Sequence, residues 1–118
     1  MSGASGKEVC DAHESPSEDP ARFHPDVVER AASVFRALGD TARLVLLERL
    51  AVRELCVSDL AELSGEGLST VSQRLRTLRA EGLVRRRRSG KHVYYTLADD
   101  HVAGLIRNAL EHASEEVG

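Results

Sequence analysis

The chain has 118 residues, a net charge of −3, two cysteines, two tyrosines, two phenylalanines and no tryptophan. That length holds one domain, and a core short of aromatics must be built from leucine, valine and alanine, which favours helices. The composition argues against a membrane span, a secretory leader and a disulfide framework, so a cytoplasmic protein with no membrane partner is expected.

Residues 1–25 read as a flexible tail. Pro16, Pro20 and Pro25 all lie there among Ser, Gly, Asp and Glu, and such a segment buries too little to fold alone. Residues 26–118 form the folded domain. Over 26–38, Val27, Val28, Ala31, Val34, Phe35 and Leu38 recur at helical intervals, and Gly39 ends the helix. Asp40 caps a second helix over 41–51, with Leu44, Leu46, Leu47 and Leu50 inward. Val57 or Ser58 opens a short third helix over 59–63, and residues 64–67 turn into a fourth.

The fourth helix, over 69–81, carries the reading. Val71, Leu75 and Leu78, with Leu68 just before, make one narrow buried stripe. Ser69 or Leu68 is expected to cap it, and Gly82 to follow its end. Its outward face is Ser69, Thr70, Ser72, Gln73 and Arg76. These side chains are short or amide-bearing and can approach base edges, with an arginine for a phosphate or a guanine. Two strands follow, at 83–87 and 92–97, around a turn at Ser89-Gly90. Val93, Tyr94, Tyr95 and Thr96 have strong strand preference. The tip carries Arg85, Arg86, Arg87, Arg88 and Lys91, of which Arg86, Arg88 and Lys91 are the expected DNA contacts. The fold class is mainly α with a β-hairpin wing: a winged helix-turn-helix, in the order α-α-α-α-β-β-α.

Charge supports that reading. Residues 68–91 hold eight Lys/Arg against one acid, a local +7 that leaves −10 on the rest of the chain. Phosphate affinity follows the field at the contact surface, not the net charge. A solvated basic face is the competing reading; the position of the run directly after a recognition-helix pattern favours double-stranded DNA.

The last helix, over 99–114, has a broad apolar face of Val102, Leu105, Ile106, Ala109, Leu110 and Ala113. The first helix has a similar excess. A dimer covers both and gives a DNA reader its two half-sites. The same helix carries Asp99, His101, His112 and Glu115. His101 and His112 are eleven residues apart and share a face, but they stand roughly 16 Å apart along the axis. One helix cannot close a site with both. An antiparallel partner helix can, setting Asp99 and His101 of one chain beside His112 and Glu115 of the other. Two imidazoles and two carboxylates suit Zn(II), with Co(II) or Cd(II) as substitutes. The competing reading makes Asp99 a helix cap and Glu115 a solvated terminal acid.

The chain resembles the ArsR/SmtB family of metal-responsive repressors. The resemblance lies in ALGDTARLVLLERL at 37–50, ELCVSDLAE at 54–62, STVSQRLRTLRAEGLVRRRRSGKHVYYTL at 69–97 and DDHVAGLIRNALEHASEE at 99–116. It implies that Asp99, His101, His112 and Glu115 are inter-subunit zinc ligands, and that the apo dimer represses efflux or sequestration genes until metal releases it. Gln73 departs from the pattern, since many relatives have histidine there. The resemblance also implies a second site at Cys56, with Asp59 and tail donors Cys10 and His13 (Asp11 as a substitute), open to Zn, Cd or Pb. A thiol switch between Cys10 and Cys56 is the alternative mechanism. An enzyme is not expected, and neither is a small-molecule substrate: four protein donors leave zinc no open position, and no general base stands beside them.

Overall fold

The structure, a computed structural model, describes residues 22–117. Its elements are α1 (Pro25–Leu38), α2 (Thr41–Val52), β1 (Leu55–Cys56), α3 (Val57–Ser64), α4 (Leu68–Ala80), β2 (Val84–Ser89), β3 (His92–Leu97) and α5 (Asp100–Val117). The described residues from Ala31 onward form one compact unit, and residues 22–30 belong to a separate N-terminal one. Among the described residues no helix is long and apolar enough to cross a membrane.

Helix ends follow local chemistry. α1 begins at Pro25, one residue before the expected start; proline is tolerated there because that N–H would have no intrahelical partner. The Asp40 carboxylate accepts from the Arg43 backbone N–H at 3.0 Å and caps α2. The Arg43 side chain turns back, and its Nε donates to the Ala37 carbonyl at 2.9 Å. One short corner thus satisfies the end of α1 and the start of α2.

The expected cap of α4 needs correction. Neither Ser69 nor Leu68 is the cap; Gly67 is, and Leu68 is the first helical residue. The Val71 N–H bonds the Gly67 carbonyl at 3.0 Å, which carries the helical ladder back past the serine. At the other end Gly82 has φ +75°. Gly82 N–H reaches the Arg79 carbonyl at 3.0 Å and Leu83 N–H the Leu78 carbonyl at 2.9 Å. This is a Schellman closure, and it needs the left-handed conformation that glycine adopts freely.

The sheet has three antiparallel strands in the order β1-β3-β2. The sequence pattern shows only the hairpin, because two residues of β1 are too short for a strand period. The wing turn also differs: Ser89 pairs with His92, so the loop is Gly90-Lys91 rather than Ser89-Gly90. Gly90 has φ +62°, which suits the first position of a two-residue hairpin loop. β2 correspondingly starts at Val84 and extends two residues beyond Arg87.

The core is aliphatic. Leu46, Leu47, Leu55, Leu60, Val71, Leu75, Leu78, Leu83 and Ile106 are all essentially inaccessible, and among the described residues no polar side chain is buried. Leu55, Val84, Tyr95 and Leu97 put one face of the sheet against this core. α2 contributes Leu46, Leu47 and Leu50, with Leu44 only half-buried. α5 starts at Asp100, and Asp99 caps it by accepting from the Val102 N–H at 3.0 Å. Val102 and Ile106 are buried, whereas Ala109 and Ala113 on the same broad face are exposed. On α1, Val27, Val28 and Phe35 are also exposed.

Candidate nucleic-acid interface and metal centre

The expected reading face stands on α4 because Val71, Leu75 and Leu78 are inward. Ser69, Gln73 and Arg76 are exposed, and Thr70 and Ser72 half-buried. Arg76 Nη1 donates to Gln73 Oε1 at 2.9 Å. That bond occupies the Gln73 carbonyl oxygen and leaves its amide hydrogens free to donate. Leu68 is 58 % exposed at the start of the helix. Together with Ser58, Ser72, Lys91 and His92 it borders an open cleft of about 340 Å³ between α4 and the wing. Leu68, Ser58 and His92 were not among the expected contacts. Leu68 reads as part of the buried stripe from sequence, and only its position at the outer rim turns it outward.

Strand parity divides the wing arginines. Arg86 pairs with buried Tyr95, and Arg88 with Val93, so both lie on the sheet face that carries the helices. Arg85 and Arg87 lie on the opposite face, opposite Thr96 and Tyr94. Arg87 forms a bidentate pair with Glu54, Nε to Oε2 at 2.8 Å and Nη2 to Oε1 at 2.6 Å. Its hydrogen bonds hold the Glu54 carboxyl below the ordinary carboxylate range, and the same bonds raise the Arg87 guanidinium. Arg74 Nη1 lies 3.4 Å from Glu66 Oε2. Two of the cations in the basic segment are therefore matched by acids from outside it.

The metal-binding candidates sit at the two ends of α5. Asp99 Oδ1 and His101 Nδ1 are 3.9 Å apart, with the His101 side chain fully exposed and Asp99 56 % exposed. His112 and Glu115, three residues apart, are exposed at the far end. Among the described residues of one protomer no three His, Cys, Asp or Glu side chains come together. Each end of α5 thus offers two donors, one nitrogen and one oxygen. That donor chemistry fits half of a four-coordinate zinc site.

Cys56 is half-buried, with its thiol 3.2 Å from Ser58 Oγ. Asp59 is half-buried in the first turn of α3. The remaining second-site candidates, Cys10 and His13, lie outside the described residues, as does Asp11.

The profile of the bacterial regulatory proteins of the arsR family matches residues 40–86, from the α2 cap through the first half of the wing. The chain is 41 % identical over 112 residues to a transcriptional repressor SmtB homolog from Synechocystis, covering 91 % of this chain and 85 % of that protein. It is 37 % identical over 106 residues to a cadmium resistance regulatory protein CadC homolog from Staphylococcus aureus, covering 79 % and 88 %. Among solved structures, a homodimeric winged helix-turn-helix DNA-binding domain from Mycobacterium bovis superposes with a TM-score of 0.77 at 32 % identity, covering 84 % of this chain and 92 % of that one.

Proposed function

The chain belongs to the arsR family of bacterial regulatory proteins, and from that premise we propose that it is a Zn(II)-responsive repressor of metal efflux or sequestration genes. More coarsely, it is a metal-responsive DNA-binding transcriptional repressor and not an enzyme. It works in the cytoplasm as a homodimer on operator DNA. The homodimeric state of the Mycobacterium bovis domain supports this, as do Phe35 on α1 and Ala109 and Ala113 on α5, which leave apolar surface uncovered.

One observation carries the zinc reading: α5 presents an exposed Asp99–His101 pair at one end and an exposed His112 and Glu115 at the other. Antiparallel α5 helices in a dimer bring the first pair of each copy to the second pair of the other. Asp99 Oδ1 is engaged by the Val102 N–H, so Oδ2 is the oxygen offered to an ion. When bound, Zn(II) supplies a divalent charge that ties four such donors together. Ser69, Thr70, Ser72, Gln73 and Arg76 read the major groove, and Arg86, Arg88 and Lys91 engage phosphates.

DNA binding requires the two α4 helices at a separation of about one turn of DNA, roughly 34 Å. Ligands that clamp α5 to α5 set the angle between protomers and therefore that separation. If the clamped angle misplaces α4, metal and DNA oppose each other, and each weakens the other by the same factor. Cys56 and Asp59, with Cys10 and His13, form a second, non-regulatory set. The test is fluorescence anisotropy of the dimer on its own promoter DNA at one salt concentration, with and without Zn(II). Zinc is expected to release wild-type protein and to leave His112→Ala bound. Release by a thiol oxidant alone, with zinc inert, would overturn the zinc reading in favour of the Cys10–Cys56 switch.

A further inference from the structure

Glu54 and Arg87 sit at opposite edges of the sheet. Glu54 immediately precedes β1 and Arg87 lies on β2, while β3 runs between them. Their bidentate pair therefore crosses the central strand, above Tyr94. The Arg87 Cζ stands 5.2 Å from the centre of the Tyr94 ring, and Tyr94 pairs with Cys56 on one side and Arg87 on the other. β1 is only two residues long, so its backbone ladder alone is a weak tie between the hairpin and the helical body. Val84, Tyr95 and Leu97 seat the base of the hairpin on the core, and the ion pair adds a directional tie on the other face of the sheet, its planar two-bond geometry fixing direction as well as distance.

We infer that Glu54 is the positioning residue of the wing: it withdraws Arg87 from the DNA and aims the hairpin so that Arg86 and Arg88 meet the phosphates. Arg87 then acts as a strut over Tyr94 and makes no DNA contact. The inference rests on the reading that the wing engages DNA. Its sign opposes simple electrostatics. Removing an acid beside a DNA-binding surface should tighten binding through the field alone. Here it frees the hairpin and weakens binding.

The test is the salt dependence of operator affinity for the full-length dimer without added metal. Glu54→Gln is expected to weaken binding by about three- to tenfold, and Arg87→Gln to do the same, with the double variant no worse than either single one. Arg87→Gln should leave the slope of log K against log salt unchanged, whereas Arg86→Gln should lower it by about 0.9 for each phosphate that Arg86 neutralises. The charge-swapped protein, Glu54→Arg with Arg87→Glu, should recover most of the affinity, which separates positioning from misfolding. The inference is overturned if Glu54→Gln tightens binding, or if Arg87→Gln lowers the slope as Arg86→Gln does. A slope that Arg86→Gln and Arg88→Gln both leave untouched would remove the DNA-facing wing itself, and this inference with it.

Discussion

The Ser33 hydroxyl on α1 donates to Glu81 Oε2 at 2.9 Å. Glu81 is the C-cap of α4 and the single acid among residues 68–91. A helix that carries exposed apolar surface is thereby joined directly to the end of the helix expected to read DNA. The bond is part-buried and has a charged acceptor. Ser33→Ala is expected to cost about 1.5–3 kcal/mol of stability, the range for a hydrogen bond to a charged group. Denaturant unfolding of Ser33→Ala, Glu81→Ala and the pair should show less than additive losses, because both singles break one interaction.

The core predicts a sharp contrast along α4. Leu75 is fully buried and Leu68 is 58 % exposed. Leu75→Ala should destabilise the fold by about 2–5 kcal/mol. Leu68→Ala should fall within about 0.5 kcal/mol of wild type and should show itself in operator binding instead, since Leu68 borders the cleft between α4 and the wing. Thermal unfolding together with anisotropy separates the two effects.

On α4, Gln73 and Arg74 should differ in kind. Gln73→Ala is expected to relax discrimination at one base pair, by about 1–3 kcal/mol against the wrong base. Arg74→Gln should leave the salt slope unchanged, because Glu66 already pairs with that guanidinium. Competition with single-substituted operators tests the first expectation, and a salt titration the second.

Metal stoichiometry follows from the placement of donors on α5. Two equivalent sites per dimer are expected, so one Zn(II) per protomer at the regulatory position. Co(II) should give the absorption of a tetrahedral nitrogen and oxygen site without thiolate bands. His101→Ala and His112→Ala should each abolish it, whereas Cys56→Ser should leave it intact. Thiolate-to-cobalt bands that vanish in Cys56→Ser would place the tight site at α3 instead.

The wing should respond to acid. The Arg87 hydrogen bonds lower the Glu54 carboxyl from its ordinary 4.5. A lowered folded value means that the pair contributes its full stability above 4.5 and loses it as pH falls through the lower, folded value. Arg87 stays charged throughout this window and adds no pH dependence. The protection of the Tyr94 amide, its exchange by NMR relative to the intrinsic rate at each pH, should fall in wild type as pH drops below 4.5. In Glu54→Gln the protection should already be low at neutral pH and show no such step.

Much of this was open to a reader of the sequence. The stripe of Val71, Leu75 and Leu78, the Asp40 cap, Gly82 at the close of α4 and the strand preference of residues 93–96 are local signals, and local chemistry produces them. They determine a winged helix-turn-helix with a basic segment and donors at both ends of α5. The resemblance to ArsR/SmtB repressors rests on the same stretches.

What the tertiary structure decided depends on residues far apart in the chain. Leu68 continues an apolar stripe, yet it lies at the rim, where no second layer covers it. β1 is a strand only because Leu55 and Cys56 meet Tyr95 and Tyr94. The four arginines at 85–88 are equivalent as a charge run, and strand pairing alone turns Arg86 and Arg88 to one face and Arg85 and Arg87 to the other. Glu54 and Glu66 then neutralise Arg87 and Arg74. Periodicity reports which face of an element is apolar. It carries no information on which distant acid meets which base, because that depends on how the elements pack.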